Sequence, residues 1–229
     1  MHLTSYSDYA CVGGRIWKTW DDYNMKKIVG IDEVGRGPLA GPVTICVVVC
    51  DKKLYTKLKK DRQLPPLGKD SKKLSQQDRE RYAQNITKII QGLPLDNFRF
   101  VVMNVSNKII DKKGISFCIK NAITYGIKKL KLKAKDCEVL LDGGLKAPIE
   151  FKKQKTIIKG DEKEKIIAWA SILAKVSRDA LMCRLAKKYP KYGFEIHKGY
   201  GTLKHRKMIK KHGLSNVHRK SFCRNIWFF

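Results

Sequence analysis

No C-x-x-C pair occurs among the seven cysteines, Cys11, Cys46, Cys50, Cys118, Cys137, Cys183 and Cys223, and their number is odd. A zinc site or a disulfide framework is therefore not expected, and buried free thiols in a reducing cytosol fit the pattern. The five histidines form no tight cluster with them in the sequence. Long hydrophobic runs are also missing. The longest is Val43–Cys50, with Thr44 inside it, whereas a bilayer-spanning helix needs roughly 20 residues. Met1–Lys27 contains no apolar signal-peptide core, so the expectation is a cytoplasmic chain with no membrane partner. Acidic residues are scarce: 21 Asp and Glu stand against 49 Lys and Arg, a formal net charge of +28. Such an excess repels itself in the folded state and makes sense against a polyanion. A lysine-biased genome leaves the same imprint, so composition alone does not separate the two. With 43% hydrophobic residues in 229, the chain is long and apolar enough for a core, in one large or two small domains.

Lys27–Asp32 reads as a strand ending in a Gly- and Pro-rich loop, and Val43–Cys50 as a strand buried on both faces. Residues 51–74 are charged and contain proline, which predicts a loop. Ser75 opens a helix with Asp78 in a capping arrangement, and Gly92 with Pro94 stops it. Phe98–Val105 is a third strand, Gly114–Lys131 a helix, Cys137–Leu141 and Lys155–Lys159 short strands, and Lys163–Tyr189 a long helix with Ile167, Ala170, Ser171, Ala174, Leu181 and Leu185 facing inward. Residues 190–202 form a Gly- and Tyr-rich loop, and Leu203–His212 a basic helix closed by Gly213. This order predicts an α/β architecture, a mixed sheet with helices on its faces and a C-terminal helical extension. Residues 1–27 read as an arm of no assigned role, and 28–229 as the functional domain.

Three strands end in acids: Asp32-Glu33, then Asp142, then Asp161. If these ends meet, four carboxylates share one site, and a counter-charge is required. Oxygen-only ligands select magnesium or manganese, and two such ions can hold the attacking water and the leaving oxygen of a phosphodiester. Asp-Gly and Gly-Asp are also ordinary turn sequences, so spacing leaves both readings open. Asp32 and Glu33 are adjacent and would point to opposite faces of a regular strand. The strand must therefore end or bend between them if both serve one site.

Other features suit nucleic acid. Gly35-Arg36-Gly37 offers backbone donors and a guanidinium. Asp70-Ser71-Lys72-Lys73 gathers a hydroxyl and two amines ahead of a helix, and Tyr200 lies between glycines beside His197 and Lys198, suited to stacking.

These stretches resemble ribonuclease HII. The resemblance runs through Ile31–Val43 (IDEVGRGPLAGPV), Asp70–Ser75, Lys159-Gly160-Asp161, Ala170–Asp179, His197–Thr202 and His218–Phe222, in the family order, over roughly residues 27–222. It implies a ribonuclease H-like fold and endonucleolytic hydrolysis of the RNA strand of RNA–DNA hybrids. It also implies incision 5′ of single ribonucleotides in duplex DNA, as in ribonucleotide excision repair, leaving 3′-hydroxyl and 5′-phosphate ends. Carried over by motif, Asp32, Glu33, Asp142 and Asp161 are the catalytic, metal-holding acids, for two Mg2+ or Mn2+ ions. Gly35, Arg36, Gly37 and Tyr200 read the ribonucleotide, and Ser71 and Lys72 hold phosphate. Asp179 is expected to support the site without touching substrate. The expected partners are RNA–DNA hybrid and ribonucleotide-containing duplex, bound by a monomer. Two departures stand out: Gly144 where the family commonly has Asn, and Trp169 where small residues are usual. A duplex-binding protein without activity, or a DNA nuclease of the same fold, are the competing readings.

Overall fold

The computed structural model describes residues 11–12, 15–16, 26–65, 74–94 and 97–224. Within the expected arm, Cys11–Val12 and Arg15–Ile16 pair antiparallel. The main sheet has five strands: β1 (Lys27–Val34), β2 (Val43–Asp51), β3 (Phe98–Val105), β4 (Cys137–Asp142) and β5 (Gln154–Ile157), in spatial order β3-β2-β1-β4-β5. β1 pairs antiparallel with β2 and parallel with β4, so the sheet is mixed. The helices are α1 (Lys52–Leu58), α2 (Gln76–Gln91), α3 (Asn107–Lys113), α4 (Ile115–Lys129), α5 (Gly160–Lys163), α6 (Lys165–Lys188), α7 (Phe194–His197) and α8 (Leu203–His212).

The strands alternate their side chains between two cores. Val29, Ile31, Ile45, Val47 and Val139 pack on Ile119, Ala122 and Ile123 of α4. Ile28, Cys46, Val48 and Leu140 pack on Ile166, Ala170 and Ala174 of α6, with Tyr55 of α1 and Ile86 of α2 around them. β2 is buried from Val43 to Cys50, as its continuous apolar run requires. A third cluster, with Ala40, Met182, Tyr192, Phe194 and Ile209, joins the loop after β1 to the C-terminal helices.

Two expectations need correction, and one further helix is present. Residues 51–74 are not all loop, because Asp51 caps α1 by accepting from the amides of Lys53 and Leu54. α3 precedes α4, separated from it by Gly114 at φ 82°. α6 has no single inward stripe, since Ile166 to Ala174 are all buried: its first half is wrapped by the sheet and by α2. The Ser75 cap is as expected, with the Asp78 amide donating to Oγ at 3.0 Å. Trp169 is accommodated at zero exposure between Tyr55 and Phe98, whose ring centroids lie 5.5 and 5.3 Å away. Cys46, Cys50, Cys118, Cys137, Cys183 and Cys223 are free thiols, all buried but Cys183. Among the described residues no helix is long and apolar enough to cross a membrane.

α6 can lie against β1 because of Gly30. A Cβ there would stand 2.3 Å from the Ile166 carbonyl oxygen, which is backbone and cannot swing aside. Gly30→Ala should therefore cost about 3 kcal/mol in urea denaturation, the upper range for overpacking a core. A loss under about 0.5 kcal/mol would show that the helix can stand off from the strand.

Candidate active site

The C-terminal ends of β1 and β4 open a cleft of about 250 Å³ lined by Asp32, Glu33, Asp142, Asp161, Gly35, Arg36, Gly37, Ser171, Lys175 and Tyr200. The four acids are thus brought together, but not quite as expected. β1 neither ends nor bends between Asp32 and Glu33, and stays paired with β2 to Val34. What stops is the ladder to β4, whose last pair is Ile31 with Leu141. Beyond it the two strands part, and both acids reach the gap. Asp161 is not at a strand end either: β5 stops at Ile157, and Asp161 sits, buried, in the single turn α5.

Asp32, Asp142 and Glu33 each have a local hold. Asp32 accepts the Glu33 amide at 2.7 Å. Asp142 accepts the Gly160 amide at 2.6 Å. Glu33 leans on the Arg36 guanidinium at 3.7 Å. Burial, then the charge of Asp142, pushes the Asp32 carboxyl well above its ordinary range, and Ser171 opposes this by hydrogen bonding. Burial also raises Glu33, with Arg36 opposing. Among the described residues no three metal-ligating side chains yet converge on one point. The donor set is nonetheless oxygen only and short of counter-charge, which is what a hard divalent cation fits.

The Gly-Arg-Gly loop is held from behind by two fully buried arginines. Arg219 donates from Nη2 to the Gly35 carbonyl at 2.7 Å, from Nη1 to Arg36 at 2.9 Å and from Nε to Gly41 at 2.9 Å. Arg178 donates to the carbonyls of Pro42, Ala40 and Lys198 at 3.0 to 3.3 Å. A trans peptide points its N–H opposite to its C=O, and no peptide here is cis. With the Gly35 and Arg36 carbonyls tied inward, the amides of Arg36 and Gly37 face away from the guanidinium. Gly35 has φ +85°, and a Cβ there would meet Arg178 Nε at 2.1 Å, so only glycine fits. At Gly37 nothing lies within 4 Å of a Cβ, so the protein itself does not demand glycine there.

Tyr200 is 41% exposed at the rim, with the Arg178 guanidinium 5.8 Å from its ring centroid. Ser71 and Lys72 lie outside the described residues. Asp179 does not line the cleft: it holds Lys175 Nζ at 2.9 Å, and it is Lys175 that faces the acids' side. The sequence reading overlooked Ser171 and Lys175 as cleft residues. Ser171, Lys175 and Asp179 follow one another at four-residue steps on one helix, and that spacing was the available signal. Gly144 borders the neighbouring groove and meets nothing.

A mixed sheet whose inner strands deliver carboxylates to one cleft, beneath a glycine-flanked arginine, defines a hydrolase of the ribonuclease H-like class. The ribonuclease HII family model matches residues 29–225. A ribonuclease HII from Endomicrobium trichonymphae is 45% identical over 195 residues, covering 85% of this chain and 84% of the relative. The crystal structure of ribonuclease H2 from Pyrococcus horikoshii OT3 superposes with a TM-score of 0.67 at 26% identity, over 87% of this chain and 96% of that one. Bst-RNase HIII in complex with Mn2+ shares the fold, with a TM-score of 0.61 at 18% identity over 92% and 72% of the two chains. The chain belongs to the ribonuclease HII family and is an endonuclease of the ribonuclease H type.

Beside the cleft, His205 and His218 are each pushed down to about 4, chiefly by burial. Unfolded, they take up protons below about 6.5 while the folded rings do not. Their contribution to stability is thus complete above about 6.5 and is lost as pH falls towards about 4. NMR of the imidazole C2–H resonances should show both flat from about pH 7.5 down to about pH 5. A midpoint above about 6 for either would mean its ring is not sealed.

Proposed function

We propose that this ribonuclease hydrolyses the RNA strand of RNA–DNA hybrids and incises 5′ of a single ribonucleotide in duplex DNA, leaving 3′-hydroxyl and 5′-phosphate ends. The observation that carries the reading is the shared cleft: four carboxylates, the Gly35-Arg36-Gly37 amides and Tyr200 border one small volume. Asp32, Glu33, Asp142 and Asp161 would hold two Mg2+ or Mn2+ ions. When bound, such a pair supplies Lewis acidity to the phosphate and a water acidic enough to attack it.

The chain's own residues do the rest. The outward amides of Arg36 and Gly37 suit a 2′-hydroxyl and its adjacent phosphate oxygen, the groups that mark RNA. The Arg36 side chain is 55% exposed in a long pair with Glu33, and such pairs exchange at little cost. It is free to leave the acid for a phosphate. Tyr200 stacks on the sugar of the following deoxynucleotide, where a second 2′-hydroxyl would crowd the ring. Ser71 and Lys72 hold backbone phosphate, Asp179 sets the Lys175 ammonium, and the surplus of positive charge draws the duplex in. Residues 28–229 act as one catalytic unit, as a monomer in the cytoplasm, and 1–27 have no assigned role.

Cleavage of a duplex carrying one ribonucleotide, with Mg2+, with Mn2+ and with chelator, tests the reading. Asp32→Asn and Asp142→Asn should each lower the rate by about 10²-fold or more while leaving hybrid binding largely intact. Near-normal cleavage by Asp142→Asn at modest Mg2+ would remove it from the ligand set. Tyr200→Ala should cost about 1–3 kcal/mol on the single-ribonucleotide duplex and less on a continuous hybrid, where many registers compete. Equal losses on both substrates would leave Tyr200 as a packing residue.

A further inference from the structure

Residues 198–202, which carry Tyr200, belong to no helix or strand. Even so, each carbonyl from Lys198 to Gly201 is claimed from elsewhere. Lys198 accepts from Arg178, Gly199 from the Leu39 amide, Tyr200 from His205 and Gly201 from Arg206, at 2.8 to 3.0 Å. The Thr202 amide also donates to Tyr200 at 2.9 Å, but a bond two residues away fixes the shape of a turn and not its place. The Tyr200 amide donates to the His197 carbonyl at 2.9 Å, and the Tyr200 carbonyl is placed by His205.

His205 is the end of a chain of bonds with only one consistent direction. The Ser215 amide meets His218 Nδ1 at 2.9 Å, and an amide can only donate. Nδ1 of His218 is therefore bare, and in the neutral ring Nε2 holds the proton. That atom lies 3.1 Å from His205 Nε2, which must accept. His205 then carries its own proton on Nδ1, the atom 2.9 Å from the Tyr200 carbonyl oxygen. The rings cannot turn away. His205 stacks on His197 at 4.2 Å and meets the Phe194 ring edge-on at 5.5 Å, while His218 lies 4.9 Å from Tyr192.

The residue after His218 is Arg219, the clamp on Gly35 and Arg36. One dipeptide thus ties down both elements that border the cleft from the substrate side. We infer that His218, acting through His205, is a positioning device that fixes Tyr200 relative to the Gly35-Arg36-Gly37 loop, and so sets how sharply an RNA–DNA junction is told from continuous hybrid. This rests on Tyr200 being the ring that meets the substrate. A buried hydrogen bond contributes only modestly to stability. Its loss can still let a stacking ring drift from its partner, which changes selectivity more than the overall rate.

The first test needs no variant. Long-range 15N–1H NMR of the intact protein should show His205 as the Nδ1–H tautomer, the rarer one in free histidine, and His218 as the Nε2–H tautomer. His205 found protonated on Nε2 alone overturns the relay. The second compares kcat/KM on the single-ribonucleotide duplex with kcat/KM on continuous hybrid. His205→Phe keeps a packed ring but no nitrogen, and should lower that ratio about five- to tenfold. His205→Asn, which keeps a donor near the δ position, should restore most of it. In a Tyr200→Ala background His205→Phe should not lower the ratio further. If Tyr200→Ala lowers the ratio and His205→Phe leaves it unchanged, the relay fails. If Tyr200→Ala depresses both substrates alike, the reading of Tyr200 fails instead. Should the His205 variants fold poorly, the tautomer measurement on the wild-type chain decides.

Discussion

Two guanidinium groups buried without a carboxylate partner constrain everything around the cleft. Arg178 and Arg219 are fully buried, and six main-chain carbonyls replace their water. A buried charge is tolerated only when its donors are met, so loop 35–42 has little freedom to take another path. Burial, and the nearness of Arg178, pull Arg219 down to about 10, which still leaves it a cation at neutral pH. The loop is gripped further along its length. Leu39 donates to Gly199, Gly41 to Val217, and Arg219 donates its own amide to Leu39. Three segments far apart in sequence are locked into one block, and the amides of Arg36 and Gly37 lie on its outer side.

In front of those cations stand the acids. The cleft therefore has positive charge behind the Gly35–Pro42 loop and four carboxylates at its floor, with Arg36 and Lys175 as the cations that border them. Burial first, and then the charge of Asp142, give Asp32 its high proton affinity. The acids are restrained by weak or local partners, an amide for Asp142 and a long ion pair for Glu33. Such holds are readily exchanged when a stronger counter-charge arrives. The floor thus gathers carboxylates, and the rim carries the Arg36 guanidinium and the Tyr200 ring.

How much of this is legible in the sequence depends on the range of the interaction. Val43–Cys50 announces a buried strand because apolarity is written in adjacent residues, and Ser75 announces a helix start because its partner, Asp78, is three positions away. α1 is passed over because its lysines look like loop. Yet Leu54, Tyr55 and Leu58, behind the Asp51 cap, carry a helical spacing. The acids are visible as residues, while their meeting depends on where the β1–β4 ladder ends, which is a property of the sheet. The arginine clamp leaves no local trace at all. Arg219 reaches back 184 residues to Gly35, and its targets are carbonyls, which every residue has. His218 and Arg219 stand in plain view in the last motif, but nothing there says which backbone they hold.

Recognition of carbonyls has an evolutionary corollary. A clamp that grasps main-chain oxygens does not read side chains, so positions such as Ala40 and Pro42 are constrained by their packing and not by the arginines. What the clamp does read is chain length. Adding or deleting a residue between Gly35 and Pro42 shifts the carbonyls out of step with two rigid forks at once. The segment is thus held in register by the arginines and in composition by its own packing, at Gly35, Ala40 and Gly41 above all, and insertions belong in the surface loops beyond β2.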